Sequence, residues 1–278
     1  MNKRLIHILL LASAALTACD PAEDRDIMTG AITAEDLVIS ATPQVVEGKN
    51  SNYIELNSDG IQALSSWDYG SGITTKTKAT VQVVLKGTND IIFTGLNHDG
   101  SFITKTISVQ VDTLINVPEE WGLLCGSGEK KWVWDETANA VWGNGGYKGN
   151  TSPGWWTNSK ASMDNNDPDY GANGYMVFAV KGSRLTKSNE SGTNVMTGSF
   201  AFDMSAKTLD DGGNVWAKGK LTTKNVTVLA GRMPNNGNAP IYEYDILRLT
   251  NDRLSLAWPE PGSGSWGTAW FWMFRAAD

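Results

Sequence analysis

The chain has 278 residues, with 30 acidic against 23 basic side chains and a formal net charge of −7. An acidic balance with no basic stripe excludes a nucleic-acid surface. Two cysteines and two histidines supply neither a disulfide framework nor a zinc ligand set, so any chemistry falls to carboxylates and any recognition to aromatics and polar loops.

The chain opens with Lys3 and Arg4, an apolar stretch from Leu5 to Leu16, and small residues before a cysteine. That is the grammar of a secretory signal. About twelve apolar residues are too few for a spanning helix, which needs ~20. Leu16-Thr17-Ala18-Cys19 resembles the bacterial lipobox, which implies cleavage before Cys19, lipid on its thiol and a membrane tether. Loss of residues 1–18, with Lys3 and Arg4, takes the charge from −7 to −9. Residues 19–30, beginning Cys19-Asp20-Pro21-Ala22-Glu23-Asp24-Arg25-Asp26, read as an acidic solvated tether. An acidic run after the lipidated cysteine also resembles the export signal of surface-exposed Bacteroidota lipoproteins, implying an outer-membrane, outward-facing location. His7 lies in the signal, which leaves His98, in the turn Asn97-His98-Asp99-Gly100, as a poor basis for Ser-His-Asp catalysis.

Residues 31–112 are strand-like, at Leu37 to Ser40, Tyr53 to Leu56, Val81 to Leu85, Ile91 to Phe93 and Ile107 to Val111. Turn residues separate them, as at Asp59-Gly60 and Asp99-Gly100, and this spacing predicts an antiparallel β-sandwich. Trp67-Asp68-Tyr69-Gly70-Ser71-Gly72 resembles the signature of polycystic-kidney-disease (PKD) domains, and Gly100-Ser101-Phe102 followed by Ile107 to Val111 resembles that family's last hairpin. The resemblance departs at Ser71, where the family has an aspartate, and implies a spacer or interaction module. Residues 113–118 read as a linker. At the junction with the preceding unit, Asp112-Thr113-Leu114 also resembles the Bacteroidota O-glycosylation acceptor.

Residues 119–278 hold eleven of the twelve tryptophans. Strand signals recur at Lys131 to Asp135, Gly174 to Val180, Thr197 to Met204, Val215 to Leu221, Val226 to Leu229, Tyr242 to Leu249, Leu254 to Trp258 and Thr268 to Arg275. Alternation is plain in Trp270, Trp272 and Phe274 against Phe271, Met273 and Arg275. About eight antiparallel strands close as a barrel or stack as a jelly roll, with the barrel preferred. Tyr244 to Leu249, Asn251 to Leu256 and a final aromatic strand resemble the ending of lipocalin-like domains of Bacteroidota lipoproteins. The fold class is therefore all-β, a sandwich followed by a barrel. Cys125, in Leu123-Leu124-Cys125, reads as a small buried hydrophobe.

The candidate site runs from Trp132 to Trp156. Glycines, Pro153 and asparagines between Trp142 and Trp156 predict a loop, and an aromatic-laden loop marks a binding surface. Sugar recognition fits: indole faces stack on the C–H face of a pyranose while amides and carboxylates meet its hydroxyls. The stacking candidates are Trp142, Tyr147, Trp155 and Trp156, with Trp266 from the glycine-rich segment Pro261 to Gly267. Asn144 and Asp135, with Asn150, Asn158 and Asp164 nearby, are the polar candidates. The alternative for each tryptophan is core packing, which is preferred for Trp132 and Trp134.

Two catalytic or metal patterns compete. Glu243-Tyr244-Asp245-Ile246-Leu247-Arg248 resembles the nucleophile strand of laminarinase-type β-glucanases, with Arg248 where the family's acid/base glutamate stands. Asp164-Asn165-Asn166-Asp167-Pro168-Asp169 is rich in calcium-type oxygen ligands but lacks the EF-hand glycine and glutamate, so an Asx-rich turn is preferred. No cofactor is implied. The layout resembles the glycan-binding lipoproteins of Bacteroidota polysaccharide-utilisation systems. That implies a polysaccharide or oligosaccharide partner, a membrane reached through lipid, and neighbouring transporters or enzymes. A glycoside hydrolase using Glu243 and Asp245, or a structural lipoprotein of a membrane complex, are the alternatives.

Overall fold

The computed structural model describes residues 30–277; the signal-like segment, Cys19 and all but the last residue of the acidic tether lie outside the described residues. The first unit contains β1 (Ser40–Val46), β2 (Lys49–Asn57), β3 (Leu64–Asp68), β4 (Ile73–Thr74), β5 (Lys78–Gln82), β6 (Gly87–Leu96) and β7 (Phe102–Val111). They form two antiparallel sheets, ordered β1-β2-β5 and β4-β3-β6-β7. Alternation builds the sandwich: on β6 Ile91 and Phe93 are fully buried, while Thr88 and Asp90 face solvent. Leu37 is buried ahead of β1, anchoring the core before the first strand begins. Trp67 is fully buried, edge-on to Phe93 at 4.9 Å, and its indole N–H reaches Ser58 Oγ at 3.4 Å.

The segment after β7 is fastened to the sandwich. The buried Asn52 side chain donates to Val83 O (3.0 Å) and Ile115 O (3.2 Å) and accepts the Ile115 N–H at 2.7 Å. Gln82 Nε2 adds a bond to Ile115 O at 2.7 Å.

The second unit begins with α1 (Glu119–Cys125), followed by β8 (Glu129–Trp134) and the short pair β9 (Trp142–Gly146) and β10 (Thr157–Asn158). After α2 (Met163–Asn166) come β11 (Tyr175–Ala179), β12 (Arg184–Ser188), β13 (Val195–Asp203), the hairpin β14 (Thr208–Leu209) and β15 (Val215–Ala217), and β16 (Gly219–Lys224). The hairpin β17 (Arg232–Met233) and β18 (Ala239–Pro240) precedes β19 (Glu243–Leu249), β20 (Arg253–Pro259) and β21 (Thr268–Ala276).

Eight of these strands, β8-β11-β12-β13-β16-β19-β20-β21, pair antiparallel with their neighbours in chain order, and β21 returns to β8. That is a closed meander barrel. A jelly roll, whose strands cross between two sheets, is excluded by this order. Strand β21 serves two partners: Phe274 pairs with Trp134, whereas Trp272 pairs with Trp142 on β9.

Aromatic side chains fill the lumen. Trp132, Trp134, Phe178, Tyr244, Trp272 and Phe274 are each at most 1% exposed, and Trp134 stacks on Phe274 at 4.8 Å. Each indole N–H finds a carbonyl: Trp132 reaches Leu124 O (2.9 Å), Trp134 Gly171 O (3.2 Å) and Trp272 Ala230 O (3.1 Å). These bonds tie the lumen to the segments closing its ends. One end is closed by α1, which buries Leu124 and Cys125. The other is crossed by Val226 to Ala230, which are buried without strand pairing although their apolar run predicts a strand. They cap the barrel instead, because a short apolar run fits a buried plug as well as a strand.

The two units touch. Val84 belongs to the barrel-side core, and Gly70 O in the Trp67-to-Gly72 loop accepts the Gly182 N–H at 2.6 Å. No helix among the described residues is long and apolar enough to cross a membrane.

Candidate functional site

All twelve tryptophans lie among the described residues, and they divide sharply. Trp155, Trp156 and Trp266 are 54%, 43% and 60% exposed, while the rest are buried or partly buried. The three lie at the end of the barrel opposite α1, on the segments flanking β9 and preceding β21. Backbone bonds join those segments: Tyr147 N–H to Gly267 O (2.7 Å) and Trp266 N–H to Tyr147 O (2.8 Å).

The region between Trp142 and Trp156, expected as a loop throughout, begins with a strand. β9 runs through three glycines because neighbours approach too closely for a side chain. A Cβ on Gly143 would meet the Trp156 carbonyl, and one on Gly146 would lie 2.5 Å from Cε3 of Trp266. Trp266 itself has φ of 61°, so its ring is swung over this glycine ledge by a left-handed backbone.

The ledge is pinned from beneath. Asn144 Oδ1 accepts the Trp156 N–H (2.9 Å), and Asn144 O accepts both Gly154 N–H and Trp155 N–H. Asn150 Oδ1 accepts the Gly146 N–H at 2.7 Å, and Asn150 O receives the Trp216 indole N–H at 2.8 Å. Tyr147 packs edge-on against Trp216 at 5.1 Å, in a small cluster on the outer face of the barrel with Phe271 and Leu247. The loop that carries Trp155 and Trp156 is therefore bound at many points.

Other expected contacts are placed differently. Trp142 is 1% exposed, between Trp156 (5.4 Å) and Trp270 (5.4 Å), so it supports the surface ring and presents no free face. Asp135 is buried and paired with Arg253 Nε at 2.9 Å; it also accepts the Thr137 N–H and hydroxyl, so its oxygens are engaged in structure. Asn144 and Asn150 hold the loop through their side-chain oxygens. Asn158 is buried and accepts from Asn166 Nδ2 at 2.7 Å. Asp164 caps the Ala172 N–H at 2.8 Å. The exposed stacking surface thus reduces to Trp155, Trp156 and Trp266, with Tyr147 half-buried beside them.

The catalytic pattern is also dispersed. Glu243 is exposed and ion-paired with Lys220, while Asp245 is buried on the same outer face and accepts the Thr208 hydroxyl at 3.3 Å. Burial raises the Asp245 carboxyl above the usual range. Asp245 is 3% exposed, with Thr208 of β14 laid against it. In the segment Asp164 to Asp169, Asp167 turns into the protein and Asp164 caps a backbone amide. No group of three or more metal-binding side chains forms among the described residues.

A second polar site escapes sequence reasoning. At the same end of the barrel a cleft of about 410 Å³ is lined by Asp167, Tyr170, Lys187 and Arg232. Lys187 is 5% exposed; its Nζ bonds to Thr227 Oγ1 (2.7 Å) and Val228 O (3.5 Å) and lies 4.4 Å from the Tyr170 ring centre. Burial pulls its ammonium down to about 8. Asp167 accepts the Ala230 N–H (2.9 Å) and Arg232 Nη1 (3.4 Å), yet burial still raises its carboxyl. The Arg232 guanidinium lies 5.3 Å from the Trp142 ring, so one buried indole separates this cleft from Trp156. The alternation of Leu185 and Lys187 on β12 was the available signal, although a lysine at an inward position normally argues against it.

No protein-family model matches the chain, and no curated protein matches it.

Proposed function

We propose that the protein binds a glycan without cleaving it, through the face formed by Trp155, Trp156 and Trp266. The observation that carries this reading is the exposure of three indoles on a backbone ledge pinned by Asn144, Asn150 and Trp216. Exposed aromatic area on a soluble domain favours association, and a rigid platform lowers the entropy lost on binding. Indole faces suit the C–H faces of sugar rings, at about 1 kcal/mol for each stacked ring, or roughly fivefold in affinity. Hydroxyl contacts fall to backbone groups of the ledge rather than to Asp135.

In this reading lipid on Cys19 holds the protein at the outer membrane, facing outward, and the sandwich serves as a spacer. Weak single sites then act together across a membrane carrying many copies, and captured polymer passes to neighbouring transporters or enzymes. The test is electrophoresis of the purified protein through gels cast with a panel of polysaccharides. Retardation by one glycan, reduced in Trp266→Ala and abolished in Trp155→Ala/Trp156→Ala, supports the reading. Equal mobility in every gel overturns it.

A further inference from the structure

The cleft at the mouth of the barrel contains a charge with no counter-ion in contact. Lys187 Nζ is satisfied by a hydroxyl, a carbonyl and an aromatic face, all neutral. Among the described residues no carboxylate pairs with it. Holding an ammonium in such surroundings is expensive, and the expense is relieved either by losing the proton or by admitting an anion.

The other charged groups around the cleft leave this excess in place. From the segment after α2, Asp167 is committed to Arg232 and to the Ala230 N–H, and Asp169 is exposed at the rim, where water screens it. From β17, Arg232 shares Asp167 through Nη1 while its buried Nε finds no acceptor among the described residues. Tyr170 has its hydroxyl pushed further above its normal range by burial and stays neutral, and Tyr242 is exposed at the opening. Of the buried groups, Lys187 and Arg232 against Asp167 leave one positive charge, with exposed Asp169 acting on Lys187 only from the rim. One buried positive charge matches a monoanion better than a dianion. The cleft volume is within the range of about 300–1,000 Å³ usual for small-ligand pockets.

We propose that this cleft binds a carboxylate, with Lys187 Nζ as its counter-ion and Arg232 Nε as a second donor. The carboxylate belongs either to a sugar acid or to a small free organic acid. This site stands on the cleft alone and does not require the tryptophan face to bind glycan.

Titration calorimetry of the purified protein with glucuronate, acetate and glucose tests it, at about pH 6.5 and about pH 9.5, either side of the Lys187 transition. At the lower pH glucuronate binds and glucose does not. At the higher pH Lys187 is neutral, and carboxylate affinity falls by roughly tenfold or more. Lys187→Met shows the same loss at the lower pH, and near-ultraviolet dichroism confirms that it is folded. Binding of glucuronate but not acetate identifies a sugar acid; equal binding of both identifies a small free acid. Trp155→Ala/Trp156→Ala keeps glucuronate affinity, which separates this site from the glycan face. The proposal is overturned if neither acid binds, if glucose binds as well as glucuronate, or if wild-type affinity is the same at both pH values.

Discussion

Gly149 lies under the Trp266 indole so closely that a Cβ there would sit 2.5 Å from Cε2 of the ring. Its φ is not positive, so the constraint is steric. Gly149→Ala therefore displaces the ring, with a cost of about 1–3 kcal/mol typical of overpacking. In a Trp266→Ala background the same substitution is close to neutral. Urea unfolding of the four proteins gives the coupling directly, and additive effects would refute the contact.

Asp135 holds Arg253 at 2.9 Å and fixes the turn after β8. Asp135→Ala removes these bonds at about 2 kcal/mol, since Arg253 keeps its contact with Asp252. Polysaccharide retardation of the folded variant is unchanged. A selective loss of binding with normal unfolding behaviour would return Asp135 to the ligand surface.

Lys187 links stability to pH. Its folded value is lowered to about 8, below the ordinary 10.5 of the unfolded chain. Between these values the unfolded state binds a proton that the folded state has released, so stability from this group rises with pH across that window. It is at its minimum below about pH 8. Lys187→Met removes the penalty, giving a more stable protein near neutral pH by an amount on the order of 3 kcal/mol, with the advantage shrinking toward pH 10.5. Chemical denaturation at three pH values checks both sign and window.

Cys125, the last residue of α1, is fully buried, and burial pushes its thiol up to about 12. The thiolate is the reactive form, so in a Cys19→Ser chain Ellman's reagent leaves the folded protein unmodified and reacts with the Cys125 thiol once denaturant opens the barrel. Rapid labelling of the native protein would show that α1 does not seal the barrel.

Much of the barrel was legible. Trp270, Trp272 and Phe274 alternate with period two, and a filled lumen places that pattern inside. Trp132 and Trp134 follow the same logic. The glycines of β9 read as a loop because their reason for being glycine, the Trp156 carbonyl and the Trp266 ring, comes from distant segments. Val226 to Ala230 has the composition of a strand, and only the barrel's need for a cap makes it a plug. Lys187 was hidden for the opposite reason. Its polarity argues for the outside, but the register set by Leu185 carries it in. Of the site, the indoles of Trp155, Trp156 and Trp266 were visible as unusual loop residues, whereas the supporting role of Trp142 emerged from packing.

The double duty of β21 has a kinetic consequence. Every other seam of the barrel joins strands that are consecutive among its eight, whereas the pairing of Ala276 with Trp132 spans nearly the whole unit. Sequential hairpins assemble quickly because their ends are near, and a seam of such high contact order forms late. Until it does, β8 and β9 present bare edges to any neighbouring chain. The same strand that seats Trp270 behind Trp156 thus completes the barrel, and the tryptophan face gains its backing in the slowest step of folding.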